Sequence, residues 1–452
     1  MTKMKRTFRP FAVILCLTLA LCTCAVPALA VEQVNIEDTT EQPEKQVLRF
    51  VQPRYGSSFV DDLFLQLHPE VSLEYLDWDP EDTSFQAPHN NPIQEFRCDD
   101  PTTPIIDIYI LSVTEGLHRL IREGYVLDLS GSESISAAHA TYLPQVQEVL
   151  SVDGKPIAIP IHFNVAGWDY DKNAWEAFGM PNVPKTADEL IQLVSRWNQD
   201  IILPPETALY GPEEFYSRRA RLIMDITNMY VIQYATSDAA LDFDTPEFKD
   251  MVNRIVNLPE IPEDFSRSTP LLRCGINNYP RTFSLLDLER GDMFNPDITP
   301  VLPMSFSESG VAKVGAEIAV MCIASNTQNR ELAMEYVELV LGHQGEQQKD
   351  LRAMLTLDVQ EMDALGLSKE TQDFYRNLAP GITFNSGALG GFWPTAWQGE
   401  YFWFVFLDAY DLPDDAYGRE FWDHLFGLMR EDISPFIAKL NEEAQHLFAA
   451  RH

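Results

Sequence analysis

Apolar and polar residues fall into short blocks along the chain, and the blocks read as alternating strands and helices. Val47-Leu48-Arg49-Phe50-Val51 is a β-branched and aromatic run that reads as a strand, ended by Pro53 and Gly56. Phe59, Leu63 and Leu67 then recur at helical spacing. Val71-Ser72-Leu73-Glu74-Tyr75 alternates and reads as a second strand, and the Pro-, Asp- and Asn-rich stretch 79–104 as a long loop. Ile105 to Leu111 is an apolar strand; Ser112 or Thr114 is placed to cap the next helix, with Leu117, Leu120 and Ile121 as its core stripe and Gly124 as its stop. This order predicts βαβ units and a largely parallel sheet. Later helix starts stand at Thr186-Ala187-Asp188-Glu189, with capping-box spacing, and at Asp244-Thr245-Pro246-Glu247. Leu332, Ala333, Tyr336, Val337, Val340 and Leu341 make another amphipathic helix, stopped by Gly342.

The first 46 residues stand outside this pattern. Lys3, Lys5, Arg6 and Arg9 precede an apolar run from Phe11 to about Cys24, and Pro27 precedes Ala28-Leu29-Ala30, a small-x-small cleavage site. This is a secretory signal, with an uncleaved membrane anchor as the alternative. Cys22 and Cys24 raise lipoprotein anchoring, but Leu21 and Thr23 precede them where small residues are preferred, so cleavage after Ala30 is the better reading. Residues 31–46 are acidic, poor in apolar groups and read as a flexible tether. No later run of 18 apolar residues follows, so no further span is expected.

Charge and cysteines narrow the picture. The chain carries 33 basic and 68 acidic residues, a formal net charge of −35. Losing the four basic residues of the leader leaves 29 against 68, a net charge near −39. Such a surface repels phosphate backbones, which excludes general nucleic-acid binding but names no partner. Cys98, Cys274 and Cys322 remain after processing: at most one disulfide, with Cys98–Cys274 conceivable, and Cys322 reading as a buried thiol in an apolar run. The chain has no Cys-x-x-Cys after the leader, no His-Glu-x-x-His, no G-x-S-x-G and no phosphate-binding G-x-x-x-x-G-K-[ST] loop. Asp77, Asp79, Glu81 and Asp82 lack the glycine of a calcium loop. Hence no catalytic residue, metal or cofactor is expected. A glycosidase needs two opposed carboxylates, and 68 acidic residues keep a secreted hydrolase open as an alternative.

Six short motifs then occur in one order: Gly124 to Ser130; the hairpin Asp153-Gly154-Lys155-Pro156-Ile157-Ala158-Ile159-Pro160; Gly167 to Lys172; Gly179 to Leu190 with Pro184, Thr186 and Glu189; Leu241 to Phe248; and Ser325 to Leu341. In these the chain resembles the family 1 extracellular solute-binding proteins of bacterial ABC importers, the group that includes maltose-binding protein. Asp171 stands where that family usually has Asn, and 270–300 lacks its common "f-x-x-G-k-A-a-M" stretch. The resemblance implies an α/β, two-lobe, type II periplasmic-binding-protein-like fold with a hinge and a ligand cleft between the lobes. Behind a signal peptide at 1–30 and a tether at 31–46, it puts lobe one at 47–161 plus 312–345 and lobe two at 165–308 plus 346–452. The crossings fall near Ile161 to Val165 and Pro303 to Val314. It further implies a secreted, monomeric protein that binds a small solute, most readily a carbohydrate, and delivers it to membrane permease subunits. A surface sensor or adhesion module on the same fold is the other alternative.

Ligands of open α/β sheets lie beyond the carboxyl ends of strands. Arg54 and Tyr55 follow the first strand, Thr114 and Glu115 follow the Asp107 strand, and His162 and Asn164 lie in the first crossing. Counted back from Tyr170, Asn164 falls where the family often places a polar ligand contact; its alternative is a hinge hydrogen bond. The alternatives are an interior histidine for His162, a solvated loop charge for Arg54, and a helix cap with a first-turn acid for Thr114 and Glu115. Aromatic rings stack on the C–H faces of sugars, which makes Trp393 and Trp397, beside Gly387, Gly390 and Gly391, ligand candidates. Trp168 divides between cleft and core.

Overall fold

The computed structural model describes residues 45–52, 60–77, 105–113, 117–197, 199–204, 207–210, 218–235, 239–258, 269–274, 282–290, 298–308, 312–384, 405, 407–412 and 419–451. The leader, the tether up to Glu44 and the whole of the loop 79–104, with Cys98, lie outside them. Among the described residues no helix is long and apolar enough to cross a membrane.

Thirteen strands are described: β1 Gln46–Gln52, β2 Val71–Asp77, β3 Ile108–Ser112, β4 Ser151–Val152, β5 Lys155–Pro156, β6 Ile159–Ala166, β7 Trp168–Asp171, β8 Thr207–Tyr210, β9 Thr269–Cys274, β10 Thr282–Phe283, β11 Ile298–Val301, β12 Val314–Ile323 and β13 Ile382–Thr383. Seven form one sheet in the order β10-β6-β12-β3-β1-β2, with β13 paired to β12. Four form a second sheet, β11-β7-β9-β8. The βαβ pattern is visible where β1 pairs in parallel with β2 and β3. The sheet is mixed rather than largely parallel, because the ten-residue β12 enters between β3 and β6 antiparallel to both.

The large sheet has an apolar core on each face. Leu48, Phe50, Ile108, Ile110, Ala319, Met321 and Ile323 pack against the helix Arg330–Gly342 through Ala333, Tyr336, Val337 and Val340. Tyr109, Leu111, Ile318, Val320 and Cys322 pack with the helices Leu117–Arg122, Leu351–Thr356 and Lys369–Leu378. Strict alternation of these residues on β3 and β12 follows from the two-residue side-chain period of a strand. Burial of Cys322 pushes its thiol up to about 12, so it is an unreactive core residue. In the helix Asp61–Leu67 the buried residue is Phe64, set against Tyr336 at 5.1 Å, while Leu63 and Leu67 are exposed. The spacing of Phe59, Leu63 and Leu67 marked the helix but not its buried face.

The second sheet has its own core, built with the helices Ala187–Ser195, Arg218–Tyr234, Pro246–Val256, Arg419–Glu431 and Ser434–Arg451. Thr186 and Thr245 cap their helices as expected, accepting from the N–H groups of Glu189 and Phe248. The chain passes between the sheets more often than the expected two crossings. It leaves the large sheet after Ala166, returns for β10 and the helix Leu285–Arg290, leaves again for β11, and returns at β12. The expected grouping put 346–384 in lobe two, but Leu351, Met354, Leu355, Tyr375, Ile382 and Phe384 lie in the core of the large sheet.

Two of the motif segments meet at one surface. The β4–β5 turn is made by Asp153 and Gly154 with φ of 50° and 74°, a conformation that favours Gly in a two-residue hairpin. It brings the Lys155 ammonium 2.8 Å from Asp128, and this bond, with the Ser130 N–H, holds the Asp128 carboxyl down to about 2. At the return crossing, a Cβ on Gly381 would lie 2.3 Å from the Ala312 carbonyl oxygen, so only glycine lets β13 reach β12 there. Gly381→Ala should therefore destabilise the fold by about 1–3 kcal/mol, the usual effect of overpacking. Gly345→Ala, whose Cβ would meet nothing within 4 Å, should leave the denaturation midpoint unchanged or slightly raised. Thermal denaturation of the two variants checks this, and equal midpoints would contradict it.

Candidate ligand-binding site

The site follows from one irregularity in the ladder between β6 and β12. His162 pairs with Ala319, yet Pro160 pairs with Val320, so Ile161 is an extra residue with no counterpart. Such a bulge exchanges the faces of the strand. Upstream, Ile159 and Ile161 belong to the core under the helix Arg330–Gly342. Downstream, Phe163 and Val165 belong to the opposite core, with Ile318 and Ala316. His162 and Asn164 are thereby turned onto the face of Ala319 and Glu317, their partners in the ladder.

Along that face the side chains change from apolar to polar in the direction of the strand ends. Ile110, Met321 and Ile159 form one apolar row. Ser112, Ala319 and His162 form the next, and Glu317 with Asn164 the one beyond it. Both β3 and β6 run antiparallel to β12, so their carboxyl ends lie on the same side of the sheet. This is where open α/β sheets place ligands. Ser112 is buried, while His162, Asn164 and Glu317 are half-buried.

The Asn164 Nδ2 donates to His162 Nε2 at 2.8 Å, which fits a neutral imidazole carrying its proton on Nδ1. Burial lowers the pKa of His162, and the opposing effect of the Asp350 charge is the smaller one. A neutral imidazole, a primary amide, a carboxylate and a hydroxyl together offer both donors and acceptors. They suit a ligand rich in hydroxyl groups better than a bare ion. Among the described residues no cluster of three or more His, Cys, Asp or Glu is placed to hold a metal.

Of the sequence-derived candidates, the structure brings His162 and Asn164 together. Trp168 lies in the core of the second sheet, 4% exposed and stacked on Tyr210 with ring centroids 6.4 Å apart. Arg54, Tyr55, Thr114, Glu115, Trp393 and Trp397 lie outside the described residues. Glu317, the one charged residue in the otherwise apolar run Val314–Ile323, was not among those candidates.

No family model matches the sequence, and no curated protein matches it. Solved structures do. The sugar-binding protein MalE from Xanthomonas citri has a TM-score of 0.53 at 13% identity, over 90% of this chain and 98% of that one. The cyclic α-maltosyl-1,6-maltose binding protein from Arthrobacter globiformis has a TM-score of 0.53 at 13% identity, over 90% and 100%. An ABC transporter solute-binding protein from Agrobacterium radiobacter, in complex with ribitol, has a TM-score of 0.52 at 14% identity, over 90% and 100%. At such identities the likeness is one of fold: the chain has the two-lobe α/β fold of these solute-binding proteins.

Proposed function

We propose that the chain is the extracellular binding component of an ABC import system, taking a carbohydrate into a cleft between two lobes and delivering it to a membrane permease. The observation that carries this reading is the fold likeness to sugar-binding proteins over nine-tenths of the chain. Chemistry supports it: the polar row Ser112, His162, Asn164 and Glu317 offers the donors and acceptors that hydroxyl recognition needs, with Ser112 and His162 on strands separated by β12. Lobe one would comprise the described residues within 45–166, 282–290 and 312–384, and lobe two those within 168–274, 298–308 and 405–451, following the cores to which they belong. Gly167, between β6 and β7, then sits at the first crossing, where a few backbone angles absorb closure. The leader at 1–30 would export the protein, and the acidic surface keeps it soluble as a monomer. The protein acts by binding, without turnover.

A thermal-shift screen with maltooligosaccharides, xylooligosaccharides and pentitols, with peptides and polyamines as contrasts, should find one carbohydrate class that raises the midpoint and is recovered intact. Asn164→Ala and His162→Ala should each weaken that ligand about tenfold or more, with the unliganded midpoint little changed. Stabilisation by peptides or polyamines alone would remove the carbohydrate assignment, and consumption of the ligand would replace the binding-protein reading with an enzyme.

The state of His162 is separately measurable. Its imidazole should titrate below the ordinary value of 6.5. The folded state binds the proton less readily than the unfolded one, so its share of stability is full above 6.5 and is lost as pH falls toward the folded midpoint. A proton NMR titration of the His162 ring, assigned with His162→Ala, checks the direction; a midpoint at or above 6.5 would contradict it.

A further inference from the structure

The outer edge of β6 is satisfied mostly by side chains. Among the described residues, β10 pairs with β6 at Val165 and Ala166. Upstream of that, the segment following the helix Arg330–Gly342 lies along the strand. Gln344 Nε2 donates to the Pro160 carbonyl. Gln348 binds Phe163 twice: its Oε1 accepts from the Phe163 N–H at 2.9 Å, and its Nε2 donates to the Phe163 carbonyl at 2.8 Å. Two residues on, Asp350 accepts from the Leu286 N–H at 2.8 Å, which ties the same segment to the helix that follows β10. Gln348 and Asp350 are both buried. Phe163 is the residue between His162 and Asn164, so its backbone orientation sets the direction of both side chains.

We propose that Gln348 is a positioning residue for the ligand site: its amide takes the place of a neighbouring strand at Phe163 and fixes how His162 and Asn164 are presented. The proposal rests on the reading of that face as the ligand face. Gln348 touches no ligand; it acts through the backbone of β6. Gln344 holds the same edge one step away, on the far side of the bulge, and serves as an internal control. Asp350, on the Gln348 segment, and Glu317, on β12, are the charges placed near His162 and Asn164.

The test compares Gln348→Met with Gln344→Met, both close in size and unable to make the amide bonds. Two quantities are read: the dissociation constant for maltotriose by calorimetry, and the His162 titration by proton NMR on the unliganded protein. Gln348→Met should weaken maltotriose about tenfold, as loss of a supporting contact does at other preorganised sites. It should also move the His162 midpoint measurably. Gln344→Met should lower the denaturation midpoint while leaving the dissociation constant and His162 within about twofold of wild type. A Gln348→Met protein that is destabilised but has an unchanged His162 titration would reduce Gln348 to a structural role and overturn the proposal. If the wild type does not bind maltotriose, malto-oligosaccharides are removed as the ligand class, while the His162 measurement still decides the role of Gln348. Should Gln348→Met fail to fold, Gln348→Asn, which keeps an uncharged amide but shortens its reach to Phe163, is judged by the same two readouts.

Discussion

One extra residue in a strand governs how this molecule presents polar groups. A regular strand keeps each side chain on a fixed face, so an apolar series such as Ile159 and Ile161 would continue through Phe163 and Val165 into a single core. The bulge at Ile161 breaks that series. It sends the aromatic and branched residues after it to the opposite core and frees the first face for His162 and Asn164. The strand thus serves two cores along its length, and the exchange takes place where the apolar floor gives way to polar residues. Bulges recur beside functional sites for this reason: they re-aim side chains without ending the sheet.

The bulge has a structural cost that the rest of the fold meets. An irregular strand near a sheet edge leaves backbone groups without ladder partners, and buried unpaired amides are expensive. Here β12 pairs one side on either side of the bulge, while Gln344, Gln348 and then β10 contact the other. The second sheet shows a different solution to burying polar groups. Its long helix Arg218–Tyr234 carries Arg221 and Asp225 inside the core, paired at 2.9 Å, with Tyr210 of β8 donating to the same carboxylate. Burial of one partner alone would be strongly unfavourable, so the three act as a unit linking helix to sheet.

The strands and capped helices were largely legible, because they depend on local periodicity and on Ser, Thr and Gly at helix ends. Thr186, Thr245 and Gly124 behave as their positions require. What was not legible depends on pairing between distant segments. No local signal marks Ile161 as a bulge, because the extra residue exists only relative to β12, some 150 residues later. The same holds for Gln348, a polar residue in a polar stretch whose partner is the Phe163 backbone. The interior position of helices after residue 350 was missed for a related reason: an amphipathic pattern says that a face is buried but not against which sheet. Asn164 became a candidate because a resemblance fixed its register, and His162 because it shares the same crossing, whereas Glu317 was open to direct reading as a lone charge in an apolar strand.

The large sheet carries the polar row at its strand ends. A row built on strands is held by regular structure rather than by loops. The central claim is that the row turned out by the bulge is the surface that meets the ligand. A crystal structure of the protein with the carbohydrate that stabilises it tests this most directly. Ligand hydroxyls are expected within hydrogen-bond distance of Asn164 and of at least one of His162 and Glu317. A ligand bound with none of the three in contact would contradict it.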